Sequence, residues 1–150
     1  MNTIFMFPGQ GAQQVGMGRD LALQNPQIAD LYRRANQIVG YDLASVCFEG
    51  PEETLNTTEI SQPAIFVTSA ACLAAMRGGQ LAPELSGIEP DACAGLSLGE
   101  HTALYAAGVM DFEQALTLVQ LRGRSMQEAA NQSKGSMVSI LGLEEPAVNQ

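Results

Sequence analysis

Ser97 occupies the centre of Gly95-Leu96-Ser97-Leu98-Gly99, a G-x-S-x-G spacing. An apolar run, Asp91–Gly95, leads into it and helix-forming residues follow. This is the sequence form of a nucleophile elbow, in which a strand turns sharply into a helix and exposes the serine hydroxyl. The glycines have a steric purpose, because side chains two residues to either side of the serine would collide with the tight backbone. A helix beginning just after Ser97 would aim free N–H groups at an oxyanion formed on its target. Glycine and serine also populate ordinary turns, so the strand–turn–helix context carries the reading. His101, the only histidine in the chain, lies four residues further on. In elbow enzymes the base arrives from a distant loop on the open side. His101 is therefore expected to be a helix-surface residue, and the base to lie outside this chain.

Two further stretches bear chemistry-capable residues. The loop Pro8-Gly9-Gln10-Gly11 through Gly16-Met17-Gly18 has glycine spacing that invites a phosphate-loop reading. Met17 stands where a Walker lysine is required, Gly18 where a serine or threonine is required, and the third glycine of a dinucleotide fingerprint is absent. Both nucleotide readings fail. What remains is a tight turn, or a turn whose backbone N–H groups face an anion. On the long helix expected after Asp111, Arg122 falls at helical spacing from Ala115, Leu118, Val119, Met126 and Ala129, on the apolar stripe. Arg124 shares its face with Thr117, Gln120, Gln127, Glu128 and Asn131 and is expected in solvent. A guanidinium on an apolar face needs an acceptor. That acceptor is either a protein acid or the carboxylate of a substrate, which the planar fork suits.

These residues must be positioned by a chain of 150 residues, 46% hydrophobic and 15% charged, the composition of an ordinary globular domain. No uninterrupted apolar run has the length of a membrane span, and the N-terminus lacks the basic region of a signal peptide. A cytoplasmic protein is expected. The net charge of −9 argues against a nucleic-acid partner. Cys47, Cys72 and Cys93 are odd in number and widely spaced, and are expected to be reduced core thiols without a metal or redox role. Thr3–Phe7 reads as a buried strand stopped by Pro8. Helices are expected over Arg19–Gln24, Pro26–Val39 and Gln62–Arg77, the last capped by Ser61 with Pro63 in its first turn. Further helices are expected over Leu98–Ala107 and from Asp111 to about Asn131, the latter opened by an Asp111/Gln114 capping box. Ser136–Gly142 reads as a strand, and the residues from Glu144 begin another helix. Alternating strands and helices imply an α/β fold with a mainly parallel sheet.

Taken together, F-P-G-Q-G at 7–11, S-Q-P-A at 61–64, G-L-S-L-G-E at 95–100 and Q-L-R-G-R-S-M-Q-E-A at 120–129 resemble malonyl-CoA:acyl carrier protein transacylases, the fatty-acid-synthesis enzymes and acyltransferase domains of polyketide synthases. The resemblance implies an α/β-hydrolase-like core over residues 1–131 and the start of an inserted ferredoxin-like subdomain over 132–150. It implies Ser97 as the acyl-accepting nucleophile and the backbone N–H groups of Gln10 and Leu98 as the oxyanion hole. Arg122 would pair with the malonyl carboxylate, and Gln62 would lie near the same pocket. Position 96, often histidine in the family, is leucine here, and Leu98 leans toward malonyl over methylmalonyl. The implied reaction is a ping-pong transfer from CoA to the phosphopantetheine thiol of an acyl carrier protein, with no bound cofactor or metal. Family catalytic domains are about twice this length, so the chain is expected to be a fragment lacking the catalytic histidine, or to be completed by a second chain or a larger synthase. Sharing the elbow alone, a serine hydrolase or thioesterase is the alternative, followed by a non-catalytic carrier-protein or CoA-binding module.

Overall fold

Residues 3–81, 83–132, 140, 142–143 and 145–148 are described by a computed structural model. Ile4–Phe7, halted by Pro8, forms β1, and Ala92–Gly95 forms β2. The two pair in parallel, with Ile4 opposite Ala92 and Phe7 opposite Gly95. Among the described residues this is a two-stranded sheet. Between the strands run α1 (Arg19–Gln24), α2 (Pro26–Val39), α3 (Leu43–Glu49), α4 (Glu52–Leu55), α5 (Thr58–Arg77) and a 3-10 turn at Pro83–Leu85. After β2 come α6 (Gly99–Ala106), α7 (Phe112–Gln132) and α8 (Glu145–Val148). The α/β class holds, with helix outweighing sheet.

Local chemistry explains most boundaries. Asn25 caps α2 by accepting from the Gln27 N–H at 2.8 Å, Pro26 takes the first helical position, and Gly40 ends the helix at φ 82°. The expected capping box opens α7: Asp111 Oδ1 accepts from the Gln114 N–H at 2.8 Å, and Gln114 Oε1 accepts from the Asp111 N–H at 3.1 Å. Asp42 caps α3, accepting from the Ser45 N–H at 3.1 Å.

α5 is the central element. From Ser61 to Val67 every residue is buried, as expected for a helix surrounded by partners. It packs against α7, α2, α6 and α3. By length and composition α5 could also cross a membrane, but 61% of its apolar window is buried within this fold. Its start differs from the sequence expectation. The helix begins at Thr58, not Gln62, so Ser61 is no cap and Pro63 lies inside the helix. Packing on several sides holds the turn that Pro63 leaves one hydrogen bond short.

β1 also differs from expectation. Ile4 and Met6 are exposed, at 59% and 81%. A two-stranded sheet has a face that the described helices do not cover. Of the cysteines, Cys47 is buried, Cys93 intermediate and Cys72 exposed, all as free thiols. The core-thiol reading thus fails for Cys72, which is exposed on α5. The strand expected at 136–142 falls largely on residues outside those described.

Candidate active site

β2 delivers the chain into the turn at Ser97, and α6 leaves it. Ser97 has φ 54°, the single positive φ of a non-glycine residue among those described. Such a left-handed conformation costs an L-residue roughly 1–2 kcal/mol, a strain associated with functional turns. The flanking glycines are required by space. A Cβ on Gly95 would stand 1.9 Å from the Gly99 carbonyl carbon, and one on Gly99 would stand 2.3 Å from the Phe7 carbonyl oxygen. The elbow is therefore wedged against the end of β1. Gly9 completes the contact, since its Cβ would lie 2.8 Å from the Leu96 carbonyl oxygen. Ser97 itself is exposed, while Leu98 behind it is fully buried.

The Pro8–Gly11 turn sits beside the elbow and is tied down from elsewhere. The Gly11 N–H donates to Gln13 Oε1 at 2.8 Å, and Gln13 Nε2 to Asn56 Oδ1 at 2.8 Å. Gln10 Nε2 donates to Thr58 Oγ1 at 3.3 Å, joining the turn to the first residue of α5. Among the described residues, no hydrogen bond engages the backbone N–H of Gln10 or Leu98.

Arg122 projects from α7 into this corner. Nη2 donates to Ser97 Oγ at 2.8 Å, and Nη1 donates to Gln62 Oε1 at 2.5 Å. Gln62 is fully buried on α5, and its Nε2 donates to Met126 Sδ at 3.3 Å. The backbones of α5 and α7 approach closely at Gly123, where a Cβ would meet Glu59 Cα and the Thr58 carbonyl oxygen at 3.2 Å. Arg122 is half-buried, and among the described residues no carboxylate pairs with it. The ion-pair alternative raised by its place on the apolar stripe thus has no partner among them. Leu118 and Ala129, assigned to that stripe, are exposed, whereas Ala115 and Val119 are in the core.

Ser97, Arg122 and Gln62 are brought together, and the Pro8–Gly11 turn meets the elbow at Leu96 and α5 at Thr58. Sequence reasoning missed Met126 as a polar contact, because a methionine on an apolar stripe reads as packing alone. His101 is half-buried rather than on the helix surface. Its Nδ1 is shielded and without a partner among the described residues, and it makes no hydrogen bond to Ser97. Also among the described residues, no group of three or more His, Cys, Asp or Glu side chains could hold a metal ion. A cavity of about 510 Å³ lies elsewhere, between β1 and α5, lined by Ile4, Met6, Phe7, Ile65, Cys72 and Met76. Its apolar walls offer none of the polar groups gathered at Ser97, and Ser97 and Arg122 take no part in it.

Fold and site together define an α/β protein with an elbow serine held against a guanidinium. The profile of the acyl transferase domain family matches residues 4–148, and the chain belongs to that family. It is 42% identical over 143 residues to the malonyl CoA-acyl carrier protein transacylase of Haemophilus influenzae, covering 95% of this chain and 44% of the relative. The mitochondrial malonyl-CoA-acyl carrier protein transacylase of Homo sapiens is 44% identical over 141 residues, covering 93% of this chain and 35% of that one. The crystal structure of the Streptococcus pneumoniae enzyme superposes with a TM-score of 0.77 at 45% identity, over 85% of this chain and 39% of that one. A malonyl-transacylase solved with a type II polyketide synthase acyl-carrier protein superposes with a TM-score of 0.75 at 45% identity, over 86% of this chain and 40% of that one. The chain spans less than half the length of these relatives.

Proposed function

We propose that this chain carries the nucleophile and the carboxylate-binding residue of an acyltransferase that moves a malonyl group from CoA to the phosphopantetheine thiol of an acyl carrier protein. The observation behind this reading is the contact between Arg122 Nη2 and Ser97 Oγ. In a malonyl thioester one methylene separates the carboxylate from the carbonyl that the nucleophile attacks. A guanidinium touching the nucleophile, with no acidic partner among the described residues, is therefore within reach of that carboxylate once the acyl group is on Oγ.

Ser97 Oγ attacks the thioester carbonyl and passes its proton to a base that none of the described residues supplies. Negative charge gathers on the carbonyl oxygen, where the backbone N–H groups of Gln10 and Leu98 receive it. Collapse of this tetrahedral species expels CoA thiolate and leaves a malonyl-serine ester. The carrier thiol then attacks that ester by the same route in reverse, regenerating Ser97. Arg122 supplies discrimination: an acetyl group leaves the guanidinium without its carboxylate, and an unsatisfied charge disfavours binding. Nothing in this scheme calls for a resident cofactor or metal. Residues 1–131 would form the first part of an α/β-hydrolase-like core and 132–150 the start of a ferredoxin-like subdomain, in a protein acting in the cytoplasm.

Release of malonate from malonyl-CoA, measured with and without a phosphopantetheinylated carrier protein, tests the reading. A transferase gives malonyl-carrier product at the expense of free malonate. Hydrolysis at a rate indifferent to the carrier would instead mark a thioesterase.

A further inference from the structure

The side-chain amide of Gln62 has a donor end and an acceptor end, and the residue is fully buried. Its Oε1 accepts from Arg122 Nη1 and its Nε2 donates to Met126 Sδ at 3.3 Å. Arg122 and Met126 are four residues apart on α7, so they lie one turn apart on one face. Gln62 spans the gap between them from α5. The partners permit one amide orientation. A guanidinium has only donors, and a thioether has no donor but can accept. Turning the amide over would set its NH2 against the guanidinium N–H groups and its carbonyl against sulfur lone pairs. Burial leaves little room for water to repair that mismatch.

We propose that Met126 is a positioning residue for carboxylate recognition. Its thioether fixes the Gln62 amide, and the amide in turn holds the Arg122 fork beside Ser97. This rests on the malonyl-transfer reading and deepens it by naming a residue that sets acyl preference through Gln62.

Met126→Leu keeps apolar bulk and removes the acceptor, freeing the amide to turn. On the intact protein, the malonyl-CoA over acetyl-CoA preference in loading Ser97 should fall about tenfold, the scale of one hydrogen bond to a charged group. The change should appear in KM for malonyl-CoA more than in kcat, with thermal stability close to wild type. Met126→Gln restores an acceptor oxygen at similar reach and should keep the preference within about threefold of wild type. Full preference in Met126→Leu, or equal loss in both variants, overturns the positioning role and leaves Met126 as packing. A wild-type protein without malonyl preference would instead overturn the carboxylate reading, and this inference with it.

Discussion

Arg122 Nη2 donates to Ser97 Oγ across 2.8 Å, joining residues 25 positions apart that reach each other from α7 and from the β2–α6 elbow. The contact gives the guanidinium an acceptor at the elbow serine itself. It also shows how the guanidinium is accommodated on a largely apolar helix face: its acceptors are a hydroxyl and a buried amide, and among the described residues no carboxylate pairs with it.

Arg122→Ala should therefore change which acyl group is accepted more than whether the serine reacts. Truncating one partner of a charged pair costs about 2 kcal/mol or more, roughly 30-fold. Loading from malonyl-CoA should fall by at least that factor, while loading from acetyl-CoA should fall far less. Parallel single-turnover measurements with the two thioesters check this, and equal losses would show a general structural role.

Backbone strain at Ser97 can be separated from its chemistry. Ser97→Ala and Ser97→Gly both remove the hydroxyl and its contact with Arg122, but only glycine adopts φ 54° without penalty. Ser97→Gly should be more stable than Ser97→Ala by about 1 kcal/mol in urea unfolding. Equal stabilities would mean that the turn is not strained in solution.

Space, rather than φ, governs Gly99. An added Cβ would press into the Phe7 carbonyl oxygen at 2.3 Å, whereas at Gly108 (φ 74°) nothing lies within 4 Å. Gly99→Ala should cost about 3 kcal/mol or more through overpacking of backbone on backbone, and Gly108→Ala about 1 kcal/mol through strain alone. Urea midpoints of the two variants provide the comparison. A mild Gly99→Ala variant would show that the elbow can move away from β1.

The thiols give a pH-dependent prediction. Burial pushes the Cys47 thiol up to about 12, with an opposing hydrogen-bond contribution from Thr68. A raised folded-state value favours the fold fully below the unfolded thiol value of about 8.5, and that contribution is lost as pH rises from there toward the folded value. Stability should thus decline above about pH 8.5, as read from urea midpoints between neutral and alkaline pH. In the native protein a thiol reagent should modify exposed Cys72 and leave Cys47 until unfolding. Rapid native labelling of Cys47 would contradict its burial.

Much of this was legible where a local rule governs the chain. Asn25-Pro26 sets the start of α2, Asp111 and Gln114 open α7, and the Gly95/Gly99 spacing marks the elbow, each through contacts within a few residues. The early start of α5 was not legible, because Pro63 argues locally for a first turn and only packing against α7 and its other neighbours overrides it. α3 and α4 are short helices without an amphipathic repeat, and the sequence reading placed no helix at either. Exposure of Ile4 and Met6 depends on what covers the sheet, which no strand pattern encodes. Arg122 was legible from its helical phase, but its contacts were not. Gln62 and Met126 are 64 residues apart in sequence, and their hydrogen bond exists only once α5 and α7 have packed.

Intact-protein mass spectrometry after incubation with malonyl-CoA, beside acetyl-CoA and a Ser97→Ala control, tests the central claim most directly. The account predicts a malonyl adduct mapped to Ser97, absent from Ser97→Ala and much weaker from acetyl-CoA. An adduct that persists in Ser97→Ala, or one formed as readily from acetyl-CoA as from malonyl-CoA, would contradict it.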